Sequence, residues 1–208
     1  MELRTAIRQR RAVRDYTKQA VPASVLRELI AAASWAPSAM NDQPWHFTVV
    51  TDTALLDEIS TRSKEWMLKG VAAMPRSSHF RDILADPHFH IFYHAPVLIV
   101  ISAPTDGQWS PEDCALAAQN LMLSALDRNL GSCWIGFAEG WLNTEEGHSA
   151  LGLPRQSRVI APIIIGHPKA PPPPVSRKPP LITWIGPIAA APQDEPQGGG
   201  LYGALNHP

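Results

Sequence analysis

The sequence predicts an α+β fold in which a mixed central sheet is covered by helices. Helical and strand patterns are interleaved along the 208 residues, but several strands lack the short crossover spacing of a doubly wound sheet. Residues 97–101 form a continuous apolar run, which is typical of a strand buried on both faces. The largely apolar helical stretch at about 110–129 indicates a central buried helix.

The first half of the chain predicts helices, a polar loop and a strand. These are helices over about 2–10, 22–36 and 52–59, an extended segment over 10–16, a loop over 37–44 and a strand over 45–50. Pro22 suits the first turn of a helix and Pro37 ends that helix. Asp52 is a good N-cap for the third helix.

The second half predicts one long helix between strands. Ser110 is a predicted N-cap, with a proline at the first helical position and an acid three residues after the cap. The residues expected to face inward are Leu116, Leu121, Met122, Ala125 and Leu126. Strands are predicted near 132–135 and 159–165, and Pro162 indicates an edge position or a bulge in the last one. Residues 64–94 have no clear period.

Composition predicts a globular domain over residues 1–188 and a separate tail over 189–208. The tail has little apolar content, so we expect it to be flexible or to wrap a partner. A net charge of −1 argues against nucleic acid or an anionic membrane as the main partner, and no apolar run approaches the ~20 residues that span a bilayer. The two cysteines form no CxxC pair, so we expect a cytoplasmic protein.

Three arginines stand close together near the start of the chain. Positions 10 and 14 are an even number apart, so an extended backbone projects the side chains of Arg10 and Arg14 from one face. Arg11 lies between them in the sequence. Two guanidinium groups on one face match a phosphate. The alternative is a solvated basic strip, since charge runs usually face water.

A polar turn bracketed by Pro37 and Pro44 is the second candidate. It offers backbone N–H groups together with hydroxyl and amide groups, which suit phosphate oxygens or the edge of a heteroaromatic ring. A turn of this composition also serves as a plain helix-to-strand connection, with Asn41 and Gln43 tying it down. Spacing alone leaves both interpretations open.

Together these segments resemble the nitroreductase family. Its N-terminal signature reads here as Arg10-Arg11-x-Val13-Arg14-x-Tyr16, followed after a helix by Ala36-Pro37-Ser38-x-x-Asn41-x-Gln43-Pro44-Trp45-x-Phe47. Leu130-Gly131-Ser132-Cys133-Trp134-Ile135-Gly136 is similar to the family's glycine-containing strand after the central helix. The segment from Ile165 through Arg177 is similar to its C-terminal phosphate-contacting region.

The resemblance implies an intertwined homodimer with flavin mononucleotide (FMN) at the subunit interface. By position, Arg10 and Arg14 would hold the phosphate and the pyrimidine edge, and Arg177 would be a further phosphate ligand. The remaining implied cofactor contacts are Arg11 and Ala12 by backbone, Pro37, Ser38, Ala39 and Asn41 from the partner subunit, and Trp134, Ile135 and Gly136 along one ring face.

The resemblance further implies hydride transfer from NADH or NADPH to a small electron-poor acceptor, such as a nitroaromatic or a quinone, with ping-pong kinetics. The cofactor carries this chemistry, so no catalytic side chain is obligatory. Arg14 near the pyrimidine edge would favour the reduced cofactor. Two alternatives remain: an FMN enzyme of other chemistry, such as dehalogenation or flavin fragmentation, and a flavin-binding or storage protein with little turnover.

Two other features carry weaker signals. His88, His90 and His94 cluster beside His79, but no cysteine or carboxylate pair stands at ligand spacing, so we expect no metal site. We expect this segment to cap the flavin pocket, with Phe89 and Phe92 shaping substrate access. Cys133 is expected to be a small buried residue and not a nucleophile.

Overall fold

The computed structural model describes residues 1–71 and 78–186, with side chains for 1–70 and 81–186. Its sheet has four strands in the order β1-β2-β4-β3. The strands are β1 (His46–Val50), β2 (Val97–Pro104), β3 (Gly131–Trp134) and β4 (Ser157–Gly166). The predicted domain boundary at 188 and the tail 189–208 lie outside the described residues and remain predictions.

The predicted α+β class is confirmed, whereas the mixed character of the sheet is limited. Each neighbouring pair of the four strands is antiparallel. Parallel pairing occurs, within the described ranges, at the isolated bridge between Ala12 and Ser132. The parallel contribution therefore comes from the N-terminal segment that runs beside β3.

Seven described helices cover both faces of this sheet. They are α1 (Leu3–Gln9), α2 (Ala23–Ala33), α3 (Thr53–Val71), α4 (Ser78–Ala85), α5 (Ser110–Asp127), α6 (Gly136–Leu142) and α7 (Glu145–Leu151). Alternate residues of β2 point to opposite sides, as a strand requires. Ile99 and Ile101 join the core formed with α2 and α5, and Leu98 and Val100 join the core formed with α3 and α6.

Helix α3 is much longer than the sequence predicts, extending to residue 71 and not ending near 59. Its inward side continues from Leu56 and Ile59 through Ser60 and Ser63, which are all buried. These serines interrupt the apolar period although they occupy core-facing positions. The apolar pattern therefore stops predicting the helix at the point where its buried side chains become polar.

The central helix α5 follows the prediction with two corrections. It begins at Ser110, so Trp109 and not Ser110 is the N-cap residue. Leu116, expected to face inward, is 45% exposed, and the inward side is formed by Cys114, Ala117 and their helical neighbours. The short helices α6 and α7 were not predicted. They are seven residues each, too short for a clear period.

Pro162 lies in an interior strand, so the predicted edge position is wrong, while the predicted irregularity is present. Ile101 pairs with Ala161 and Ser102 with Val159, which leaves Ile160 as an extra residue. The Pro162 carbonyl accepts from the N–H of Ile135, at the point where β3 has ended. In a β-strand the N–H and the C=O of one residue point to the same side. An N–H at position 162 would therefore point towards Ile135 and away from β2, so proline at this position removes no β2–β4 hydrogen bond.

None of the described helices is both long and apolar enough to cross a bilayer.

Candidate functional site

The extended segment 10–16 attaches to the sheet beside β3. The Val13 N–H donates to the carbonyl of Ser132 at 3.0 Å, and the Thr17 N–H donates to the carbonyl of His167 at 2.8 Å. The buried Tyr16 hydroxyl donates to the Val13 carbonyl at 2.8 Å. These bonds fix one side of the segment against the fold and leave its arginines on the other side.

Two glycines allow this close approach. A Cβ atom added to Gly131 would lie 2.8 Å from the side chain of Val13. One added to Gly166 would lie 2.8 Å from the Tyr16 ring and 2.7 Å from Pro96. Both strand ends therefore have glycine where the N-terminal segment presses against the sheet.

A cleft of about 660 Å³, here called the arginine cleft, lies between this segment and the proline-rich chain at 170–177. Its lining includes Arg10, Arg11, Ala12, Arg14 and Arg177. The structure thus brings together the predicted phosphate-contacting residues from both ends of the chain. Their role as cofactor ligands remains a prediction.

The arginine cleft is lined by four arginines and one carboxylate, that of Asp15, which pairs with Lys169 at 2.7 Å. Burial lowers the pKa of Arg10, and the nearby charges of Arg177 and Arg11 lower it further. Burial raises the pKa of Cys133, against the opposing charges of Arg14 and Arg10. In the described part of the chain, neither Arg10, Arg14 nor Arg177 forms an ion pair with a carboxylate. The cleft therefore favours an anionic ligand.

Arg11 is oriented differently from its two neighbours. Its guanidinium donates to the carbonyls of Arg8 and Arg10, the latter at 2.9 Å. These bonds occupy the side chain with its own backbone. Any contact that Arg11 makes to a ligand would therefore come largely from its main chain, as would that of Ala12, which has no polar side chain.

The loop with Pro37, Ser38, Ala39 and Asn41 is ordered but does not line the arginine cleft of the same chain. The Ala39 N–H donates to Oδ1 of the buried Asp113 at 3.0 Å, which anchors the loop to the first turn of α5. Ser38 Oγ accepts from the N–H of Gln43 at 3.0 Å. The predicted contact of this loop with a ligand requires a second copy of the chain and remains a prediction.

Trp134, Ile135 and Gly136 follow one another at the end of β3, but their environments differ. Trp134 packs against the α2–α5 core and Ile135 lies in the opposite core. Gly136 lines a separate open cleft of about 620 Å³ that also includes Trp66 and Glu139. Their side chains therefore do not share one face in the single chain, and their predicted ring contacts remain predictions.

The turn formed by residues 90–95 places Tyr93 against Arg14 of the arginine cleft, a contact that the sequence did not predict. The guanidinium carbon of Arg14 lies 6.0 Å from the centroid of the Tyr93 ring. Phe92, expected to shape substrate access, is instead fully buried in the core, so that expectation is wrong. The turn has no repeating pattern, and Tyr93 and His94 adopt φ of 52° and 54°, which local sequence does not predict.

Asp57 supplies the carboxylate that sequence spacing did not find near the histidines. One ligand atom each from Asp57, His90 and His94 lies within 4.8 Å of the others. His90 Nδ1 accepts from the Phe92 N–H at 3.1 Å, which leaves the proton on Nε2, 3.1 Å from Asp57. Because Nε2 is thus a donor and not a free lone pair, the cluster forms a hydrogen-bonded support for the turn.

Fold and cleft together define an α+β protein with a cleft lined by guanidinium groups. Residues 7–167 match the profile described as the nitroreductase family. The match covers most of the sequence, and the chain belongs to the nitroreductase family.

Several known proteins are similar to this chain. A provisionally named NADH dehydrogenase/NAD(P)H nitroreductase from Archaeoglobus fulgidus is 29% identical over 160 residues, covering 77% of this chain and 82% of that protein. An iodotyrosine deiodinase from Thermotoga neapolitana is 24% identical over 184 residues, covering 85% and 94%. The crystal structure of a nitroreductase with bound FMN from Bacteroides fragilis has a TM-score of 0.75 at 29% identity, covering 89% of this chain and all of that one.

Proposed function

We propose that this chain is an FMN-dependent oxidoreductase of the nitroreductase type, using NADH or NADPH and holding FMN in the arginine cleft. The observation that carries the proposal is the convergence of Arg10, Arg14 and Arg177 on one cleft, without carboxylate partners among the described residues. The relatives named above support the class of reaction.

The arginine cleft suits the cofactor in size and charge. Its volume of about 660 Å³ is within the usual range for small-molecule sites. Guanidinium groups bind a phosphate through paired, charge-assisted hydrogen bonds. Val13 and the prolines at 171–173 add apolar surface to the lining. The donor set is therefore suited to a molecule with a phosphate at one end and a flat ring at the other.

When bound, FMN supplies hydride transfer between a nicotinamide and an electron-poor acceptor. Arg10 and Arg177 would bind its phosphate, and Arg14 would orient the pyrimidine edge and favour the more negative, reduced form. The Cys133 thiol stays protonated because burial raises its pKa, so it adds no negative charge beside Arg10 and Arg14. These residues bind and orient the cofactor and supply no acid or base.

The proposal includes a homodimer in which the loop 37–41 and residues 134–136 complete the site. In this arrangement Pro37, Ser38, Ala39 and Asn41 of a second copy reach the cofactor from outside the arginine cleft. Exposed apolar side chains on α1 and near the end of the described chain support such an interface, among them Leu3 (67% exposed) and Leu181 (103% exposed). The acceptor is a nitroaromatic, a quinone or a similar molecule.

The test is an anaerobic spectrum of the purified protein after loading with FMN. We expect a yellow protein that bleaches on addition of NADH or NADPH and regains its colour with a nitroaromatic or a quinone. Steady-state lines should be parallel, because the two substrates occupy the same place in turn. A colourless protein that cannot be loaded with FMN would contradict the proposal, and a yellow protein that neither nicotinamide bleaches would favour flavin storage.

A matched pair of variants tests the location of the cofactor. Arg177→Met should raise the Kd for FMN about 10- to 100-fold, because one charge-assisted hydrogen bond is lost. Arg155→Met is the control, since the Arg155 side chain is 92% exposed and lies away from the arginine cleft. Equal affinities of both variants for FMN would place the cofactor elsewhere.

Reductive dehalogenation is the second candidate, and the similarity to an iodotyrosine deiodinase favours it specifically. It uses the same cofactor site and differs in the acceptor. Release of halide from a halogenated aromatic substrate, at a rate above that of nitroaromatic reduction, would select this candidate. Nitroaromatic reduction without halide release would select the first.

A further inference from the structure

Tyr93 contacts the arginine cleft through one of its cations. The guanidinium carbon of Arg14 lies 6.0 Å from the Tyr93 ring centroid, within the range of a cation–π interaction. Burial raises the pKa of the Tyr93 hydroxyl, and the charge and hydrogen bonding of the Arg14 guanidinium oppose that rise. The Tyr93 ring is therefore in contact with the Arg14 side chain, and the Arg14 charge also acts on the Tyr93 hydroxyl.

The backbone around Tyr93 is held in an uncommon conformation. Tyr93 and its neighbour His94 both have positive φ, at 52° and 54°. Asparagine, aspartate and histidine are enriched in this region, and a bulky residue such as tyrosine is rare there. Such a conformation persists only where the surroundings determine it. The inference from this observed outlier is that the turn serves to direct the Tyr93 side chain.

Several bonds from α3 and from within the turn enforce this conformation. The Ile91 N–H donates to Ser60 Oγ at 3.1 Å, and the Tyr93 N–H donates to the carbonyl of His90 at 2.8 Å. His90 is in turn fixed by Asp57. The edge of the Phe89 ring meets the Tyr93 ring at a centroid distance of 5.7 Å and an angle of 77°. The Tyr93 ring is thus supported on the side of the turn.

Tyr93 itself is not among the residues that line the arginine cleft, whereas Arg14 is. Any effect of Tyr93 on a ligand there must therefore pass through Arg14. We propose that Tyr93 is a positioning residue for the arginine cleft, whose ring holds the Arg14 guanidinium in the orientation that binds FMN. The inference rests on the proposed function, which it deepens by naming the residue that positions Arg14, one of the proposed FMN ligands.

The experiment is a double-mutant cycle read out as FMN affinity. Tyr93→Leu removes ring and hydroxyl, and we expect it to raise the Kd for FMN about 3- to 30-fold. Tyr93→Phe keeps the ring and should retain most of the affinity, with a loss of about 2- to 5-fold. In the Arg14→Met background, Tyr93→Leu should change the Kd by less than about 2-fold, because the group it acts through is gone.

A control separates positioning from damage to the turn. His88→Asn changes an exposed histidine just before the turn and leaves the Arg14–Tyr93 contact intact. We expect its FMN affinity to equal that of the wild type. The reduction potential of bound FMN should fall in Tyr93→Leu and not in His88→Asn, because only Tyr93→Leu releases the Arg14 guanidinium from its position.

The outcomes are distinguishable. If the wild type binds FMN and Tyr93→Leu weakens binding equally with and without Arg14, the Tyr93 proposal is overturned and the proposed function stands. If the wild type does not bind FMN, the proposed function fails, and the same cycle is read as the free energy of unfolding without ligand. There, a loss of stability in Tyr93→Leu that is smaller in the Arg14→Met background supports the positioning contact, and equal losses in both backgrounds overturn it.

Discussion

His90 is the titratable residue whose surroundings have the clearest consequence for the fold. It is half-buried between Asp57 and His94, and its Nδ1 accepts from the main chain of the 90–95 turn. Burial lowers its pKa, the charges of His94 and Lys64 add to this, and Asp57 opposes it. A proton on Nδ1 would also break the hydrogen bond from Phe92, so the folded protein favours the neutral ring.

This environment predicts a dependence of stability on pH. Because the folded pKa of His90 is below its ordinary value of 6.5, the unfolded chain takes up the proton first as pH falls. The contribution of His90 to the free energy of unfolding is fully present above about pH 6.5 and is lost as pH falls through the folded pKa.

Urea unfolding from pH 8 to 5 measures this contribution. The difference in free energy of unfolding between wild type and His90→Gln should shrink or reverse on acidification. Gln19→Ala, at an exposed position without a titratable side chain, should show a constant difference. A constant difference for His90→Gln as well would refute the assignment.

At the scale of single elements, the extended segment 10–16 could be predicted from sequence in its conformation and in its arginines, but not in its neighbours. Two guanidinium groups four residues apart, in a stretch without helical period, indicate a shared face. The position of that face beside β3 depends on Gly131 and Gly166, which touch the segment only in the folded chain. Local pattern contains no information on such distant contacts.

The segment's close approach can be tested by adding one methyl group. Gly131→Ala should destabilise the fold by about 1–3 kcal/mol and weaken FMN binding, because its Cβ would lie 2.8 Å from Val13 and push the arginines outward. Gly70→Ala in α3 is the matched control, since no residue with a described side chain lies within 4 Å of its added Cβ. It should stabilise by up to about 1 kcal/mol through helix propensity. Thermal unfolding and FMN titration measure both effects; a Gly131→Ala variant as stable as the wild type would disprove the contact.

The full length of helix α3 and the shape of the 90–95 turn could not be predicted for a different reason. Helix α3 places Ser60 and Ser63 on its buried side, so its apolar period stops while the helix continues. The 90–95 turn owes its shape to contacts with α3, and therefore Tyr93 could not be selected from its own neighbourhood. Leu116 shows the converse, because an apolar residue at a core-like period remains exposed. Binary pattern predicts burial only where one chain forms the whole surface.

For the whole molecule, charge and apolar surface are distributed unevenly. The net charge is only −1, yet guanidinium groups concentrate at one cleft, so composition alone does not reveal this local positive charge. Exposed apolar side chains concentrate likewise, on α1 and on the last described residues. Motifs in one chain could thus predict that Arg10, Arg14 and Arg177 meet at one cleft, and their role as phosphate ligands stays a prediction. The residues predicted to contact the ring are not brought together by one chain.

This unevenness predicts a homodimer that depends on the C-terminal arm, residues 181–185. Leu181, Trp184 and Ile185 are 103%, 67% and 96% exposed, and each would contribute about 1.5–3 kcal/mol if a second copy buried it. Light scattering after size exclusion should give about twice the chain mass of 22.8 kDa.

Replacing all three residues by serine should shift the protein towards the monomer and weaken FMN binding in parallel, because the loop 37–41 of the second copy would be lost. Trp109→Ser, which removes an exposed aromatic side chain elsewhere, should leave the mass unchanged. A wild type of single-chain mass in the presence of FMN would contradict the dimer, and a serine variant that remains dimeric would show that the arm does not form the interface.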